Sequence, residues 1–206
     1  MTRPSDDARG LPFYVAATDA PAKREVLQAA LRLFVRDGIS ETSIRTIGTE
    51  AGYTNPALFK HFRSKDELAL RLFEHCYLKL SGDLQTAVRL KGDFAARMNA
   101  IISCYVCLLD QHPDAVLYVQ ENLRHFWPLV APRLRRQAIL PLLRKLLGDG
   151  QQSGAVTTTV SVEWLTTAWV GLLQQFGRAV YFGEIAGNAE DWRTALTELT
   201  SRLTRP

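Results

Sequence analysis

From Pro21 onward, apolar side chains return every three or four positions, and no two-residue alternation survives long enough to mark a strand. A chain patterned in this way buries one stripe per helix and offers no set of half-buried strands for a sheet, so the pattern predicts an all-α fold. Leu27, Ala30, Leu31 and Phe34 make the first stripe. Pro21 suits its opening turn, where a missing N–H costs little, and Gly38 closes it. Thr42 or Ser43 caps a short second helix with Ile44, Ile47 and Ala51 inward, which Gly52 ends by taking a left-handed conformation cheaply. A short third helix starts at Asn55 with Pro56 in its first position and Leu58, Phe59 and Phe62 on its apolar side. Ser64-Lys65-Asp66-Glu67 has the form of a capping box and opens a long helix to about Leu80. Further helices are expected near 84–90, 93–111, 114–125, 131–149, 158–181 and 189–204. The stretch Met1 to Ala20 carries Pro4, Gly10 and Pro12, lacks a sustained period, and reads as a flexible lead-in.

Composition narrows the function classes. The 206 residues are 47% hydrophobic and 22% charged, enough apolar mass for a sizeable core, which excludes disorder throughout. Charged and amide residues interrupt every apolar run before the ~18 positions that a membrane span needs. No basic segment followed by an apolar one opens the chain, and Cys76, Cys104 and Cys107 make no disulfide framework, so a cytoplasmic protein without membrane attachment is expected. The net charge is +4. Much of it falls between Thr42 and Lys65, where Arg45, Lys60, Arg63 and Lys65 face a single carboxylate, Glu50.

Two short helices separated by a glycine-containing turn and braced by a preceding helix set one helix into a DNA major groove. Here the recognition helix runs from Asn55 to Phe62, and Thr42, Ser43, Thr46, Thr54 and Asn55 are short polar residues suited to phosphates. The run from Thr42 to Thr54, followed by Asn55-Pro56-Ala57-Leu58-Phe59-Lys60-His61-Phe62 and Ser64-Lys65-Asp66-Glu67-Leu68, resembles the TetR family of bacterial transcriptional regulators over about residues 22 to 72. The resemblance implies an N-terminal three-helix DNA-binding module, residues 21–64 after the 1–20 lead-in. A long helix would then join it to a C-terminal helical ligand-binding and dimerisation bundle, 65–206 in all. It further implies a homodimer on double-stranded DNA, repressing at a palindromic operator and released when a small effector changes the separation of the recognition helices. Carried over by position, Thr42, Arg45, Thr46, Thr54, Asn55, Ala57 and Lys60 face DNA, and His61 and Lys65 meet its backbone. Phe59 stands where the family usually has Tyr, and Pro56 where Gly or Ala is common, which removes a hydroxyl and an N–H donor from that surface.

Beyond about Gln85 no diagnostic motif appears. Tyr105, Asn122, Phe126, Trp169 and Gln174 form the mixed apolar and polar set expected to line an effector cavity, with large core residues as the plain alternative. No dense cluster of fixed charge is expected, which points to an apolar or aromatic effector. Trp164, Ala168, Gly171 and Gln175 recur at helical spacing with small residues among them, as a dimer interface requires; an internal core face is the alternative. Cys104-Tyr105-Val106-Cys107 lacks a second ligand pair, so no metal site or cofactor is expected. Phosphate-cradling glycine loops, nucleophile elbows and HExxH helices are missing, so no catalytic residue is assigned. Two other readings compete with the regulator: a helical ligand- or protein-interaction protein that has lost specific DNA binding, and a cysteine-based redox-sensing regulator.

Overall fold

The computed structural model describes residues 12, 14, 15, 19–54 and 62–206. The described chain is helical, in the order α1 (Pro21–Asp37), α2 (Ile44–Ala51), α3 (Lys65–Val88), α4 (Phe94–Gln111), α5 (Pro113–Phe126), α6 (Pro132–Arg135), α7 (Leu140–Gln152), α8 (Val162–Tyr181) and α9 (Ala189–Thr204). Contacts divide it into two compact units, residues 1–79 and 80–206, and the break falls inside α3. The sequence reading divides the chain at 64/65; the compact unit instead takes in the first turns of α3, where Leu68, Ala69, Leu72, Phe73 and Cys76 are fully buried.

In the first unit α1 packs on α2. Pro21 occupies the first turn of α1 and Val26, Leu27, Ala30, Leu31 and Phe34 are its buried stripe, as the spacing predicts. The chain leaves α1 at Gly38 with φ 88°, and its N–H bonds Phe34 O. That conformation is open to glycine and strained for other residues.

In the second unit α4 packs on α5 and α9, and α8 packs on α5, α7 and α9. Leu147, Val156 and Leu165 form one buried cluster, with Phe94, Val162 and Leu203 against it. Three boundaries depart from the expected ones. The segment 84–90 is no separate helix: nothing breaks the pattern between Leu80 and Val88, and α3 carries Ala87 and Val88 inward to its end. The expected helix 131–149 is two, a single turn at α6 and then α7, because Pro141 lacks an N–H and its ring crowds the residue before it, so the ladder must restart there. The last long pair begins at Val162, not near 158, because the threonines ahead of it spend their hydroxyls locally. Thr157 Oγ1 and Thr159 Oγ1 are 2.9 Å apart, and Thr157 N–H donates to Thr204 O at 2.9 Å.

Candidate nucleic-acid interface

The surface predicted to meet DNA starts at α2. Ser43 is its cap: Oγ accepts from Thr46 N–H at 3.0 Å and lies 2.7 Å from Thr46 Oγ1. Gly52 ends the helix in the left-handed region, φ 74° and ψ 24°, and Tyr53 N–H bonds Gly48 O at 2.8 Å. With Ile47 fully buried and Gly48 inward, the helix turns Arg45, Thr46 and Thr49 to solvent. The Arg45 side chain makes no hydrogen bond or ion pair with a described residue, whereas exposed Glu50 is 3.4 Å from Arg32 on α1. The one carboxylate of the basic stretch is thus partly neutralised from behind, which leaves Arg45 and the cap of α2 as an anion-attracting end. Thr54 is exposed just past the turn. Asn55, Ala57, Lys60 and His61, together with Pro56 and Phe59, lie outside the described residues.

Two of the predicted contacts have other work. Thr42 is 2% exposed, and its hydroxyl donates to Gly38 O at 2.7 Å, tying the loop after α1 to the end of that helix. Lys65 Nζ donates to Ile39 O at 2.6 Å, Thr42 O at 2.8 Å and Ser40 O at 3.3 Å. An ammonium has three protons, and here all three have backbone acceptors in the turn that leads into α2. Lys65 therefore holds α2 in place from the first residue of α3. Its neighbours complete the start of α3 in a way the capping-box pattern only half anticipates. Ser64 Oγ accepts from Glu67 N–H at 3.1 Å, as expected, but Glu67 Oε2 reaches back to Arg63 N–H at 2.9 Å, one residue before the cap.

In the second unit, buried Tyr105 on α4 donates its hydroxyl to Leu173 O at 2.6 Å, and the phenol oxygen in turn accepts from Gln120 Nε2 at 3.4 Å. Burial pushes the Tyr105 phenol up to about 12, with Gln120 pulling weakly in the other direction. Gly177 makes this arrangement possible, since a Cβ there would collide with the phenol oxygen. Gln120 Oε1 is buried without a partner among the described residues, a polar group absent from the sequence expectations. Its signal was an amide one helical turn after Val116, on the face that α5 buries. Trp169 is fully buried elsewhere, its Nε1–H donating to Thr200 Oγ1 at 2.9 Å. Phe126 is buried, half-buried Asn122 spends its amide on Tyr118 O at 2.9 Å, and Gln174 is exposed on the outer face of α8. Of the five predicted ligand residues, Tyr105, Phe126 and Trp169 are thus buried, Asn122 is half-buried and Gln174 is exposed. A groove of about 360 Å³ lies instead between α4 and α9, lined by Phe94, Met98, Asn99, Ile102, Thr197 and Thr204 among others, and none of the five lines it.

Trp164, Ala168, Gly171 and Gln175 are all exposed on one face of α8, with Trp164 72% exposed, and Leu199 of α9 is 43% exposed. The internal-core alternative does not hold for these four. The expectation of no fixed-charge cluster fails too: residues 122–148 carry Arg124, Arg133, Arg135, Arg136, Arg144 and Lys145 without one Asp or Glu, a run legible in the sequence. Cys76 is fully buried, and burial drives its thiol far above the ordinary range; Cys104 is half-buried and Cys107 exposed.

Comparison with known proteins places these features. Residues 26–72 match the model of bacterial regulatory proteins of the tetR family. The transcriptional repressor KstR2 of Rhodococcus jostii is 25% identical over 122 residues, 59% of this chain and 56% of that protein, so the chain matches little more than half of this relative's length. Among solved structures, the ketosteroid regulator KstR2 of Mycobacterium tuberculosis superposes with a TM-score of 0.77 at 18% identity, covering 93% of this chain and 100% of that one. FadR of Bacillus subtilis, solved with stearoyl-CoA, superposes at 0.65 with 17% identity, covering 85% and 96%. The tetR-family signature thus lies over α1, α2 and the start of α3, on a chain whose helices follow the fold of these solved regulators nearly end to end.

Proposed function

We propose that the protein is a ligand-responsive transcriptional regulator that binds a palindromic operator as a homodimer, represses there, and is released by a small effector with a largely apolar body. The observation that carries this reading is the capped, outward-facing α2, with an Arg45 side chain unpaired among the described residues, clamped by Lys65 inside the segment that matches the family model. One short recognition helix reads few base pairs, whereas two symmetry-related copies read two half-sites with a defined spacing. The exposed Trp164 face of α8 is the surface we assign to that pairing, because Trp164 stands there beside small Ala168 and Gly171, which let a second helix approach closely.

Release needs differential affinity. An effector that binds the DNA-free conformation about 100-fold better weakens operator binding by about 2.7 kcal/mol, and one without preference does nothing. The compared structures are of a ketosteroid regulator and of a regulator holding stearoyl-CoA, and we extend to this chain an effector of that kind, with an extended hydrocarbon or ring body. No described helix is long and apolar enough to cross a membrane, in keeping with a regulator that meets DNA in the cytoplasm.

Selection of bound duplexes from a random DNA pool tests the reading, followed by salt titration on the winner and on scrambled DNA. A recovered palindrome, preferred over scrambled DNA and with a steep salt slope, is the expected result. Weak binding without enrichment would leave a ligand- or protein-interaction protein in its place.

A further inference from the structure

Reduced cysteine is among the most buried of residue types and packs as a small hydrophobe. Cys76 behaves so, fully buried in the first unit. The two cysteines of α4 do not: Cys104 is half-buried and Cys107 exposed. The helix runs unbroken from Phe94 to Gln111, and the residues it buries around them are Ile101, Ile102, Tyr105, Val106, Leu108 and Leu109. Cys104 and Cys107 therefore lie next to each other on the outer side of α4, with Cys104 at its edge, at the three-residue spacing that makes helix side chains neighbours. A thiol in water adds little packing, so its chemistry is what such a position offers.

Two thiols at this spacing are poorly placed for each other and well placed for an ion between them. Cβ atoms three residues apart on a helix are about 5–6 Å apart, whereas a disulfide closes at about 3.5–4.5 Å. A direct bond would need the helix to yield by about 1 Å or more. The helix is held against that here, because Tyr105, the residue after Cys104, donates to Leu173 O at 2.6 Å. An ion held in line by both sulfurs sets them two metal–sulfur bonds apart, about 4.5 Å on the scale of zinc–sulfur bonds, which side-chain rotamers reach without moving the backbone. Ligand number then narrows the ion. Among the described residues no three His, Cys, Asp or Glu side chains come together to hold a metal. Zn(II) takes at least three protein ligands, and hard cations take several oxygens. Two soft sulfurs suit Cu(I), an ion that two ligands satisfy and for which no second ligand pair is needed.

We propose that Cys104 and Cys107 of α4 form a two-coordinate site for monovalent copper. Both thiols release their protons to solvent, two Cu–S bonds form, and no electron is transferred. The bridge spans the turn of α4 that Tyr105 ties to α8. The site goes beyond the regulator reading and does not rest on it.

Anaerobic titration of the full chain with Cu(I), in competition with the chromophoric chelator bicinchoninate and without DNA, tests it. One equivalent per chain is expected to leave the chelator, and X-ray absorption at the copper edge should show two sulfur neighbours. Cys104→Ser and Cys107→Ser, each checked for folding by circular dichroism, should weaken binding at least about a hundredfold, since losing a group that merely supports a ligand already costs about 10–100-fold. Iodoacetamide treatment of the native chain, which spares buried Cys76, should abolish binding. Zn(II) in excess should not displace the copper. Half an equivalent per chain would mean that Cys107 bridges two molecules, and it overturns the inference. Undiminished binding in either variant, copper retained after alkylation, displacement by Zn(II), or a copper shell of nitrogen and oxygen overturns it equally.

Discussion

Lys65 illustrates how one side chain's role is decided by its acceptors. Its charge and position pass for a phosphate contact, yet its three protons lie on Ile39, Ser40 and Thr42 carbonyls. Hydrogen bonds from a charged donor are worth about 1.5–3 kcal/mol each before solvent exposure discounts them. Lys65→Met should therefore lower unfolding stability by about 1–3 kcal/mol in a denaturant titration and leave the salt slope of DNA binding unchanged. A slope reduced by about one with normal stability would return Lys65 to the phosphates. Tyr105 supplies a pH prediction. Its folded pKa, about 12, lies above the unfolded value of about 10, so the folded state holds this proton more tightly. The associated stability is complete below pH 10 and is lost as pH rises from 10 through 12. Unfolding titrations at pH 9 and 11.5 should show wild type losing more stability than Tyr105→Phe; equal losses would mean that the phenol ionises freely in the fold.

Helix ends are the elements most legible in the sequence. Pro21, Ser43, Gly52 and Ser64 act where their chemistry predicts, because capping is a local transaction between a side chain and backbone groups two or three residues away. Ser43→Ala should cost about 1 kcal/mol, since it leaves Thr46 N–H without its acceptor, and should weaken DNA binding by loosening the start of α2. Ser43→Asp, which restores an acceptor, should recover the stability; circular dichroism melts of the two variants decide the point. Boundaries within the second unit are less legible in the sequence. The pattern at 131–149 kept its period across Pro141, and the reading joined what the missing N–H separates.

For the whole molecule, the pairing proposed above falls on the outer face of α8. Trp164→Glu is expected to shift the protein from dimer to monomer at micromolar concentration in light scattering, a loss of about 2 kcal/mol or more per interface from apolar burial and a buried charge. Operator affinity should fall with it; an unchanged mass would place the dimer contact elsewhere. By itself the sequence determined the helical class, most of the helix ends, the family's DNA-binding signature and the segregation of charge, because periodicity, capping and composition are written in neighbouring residues. Only the tertiary structure decided which polar groups are spent. Thr42 went to the core, Lys65 to three carbonyls 23 to 26 residues away, Tyr105 to Leu173 and Trp169 to Thr200, while Trp164 stayed in water. Those outcomes depend on partners distant in the chain, whose approach is set by packing and not by any local pattern.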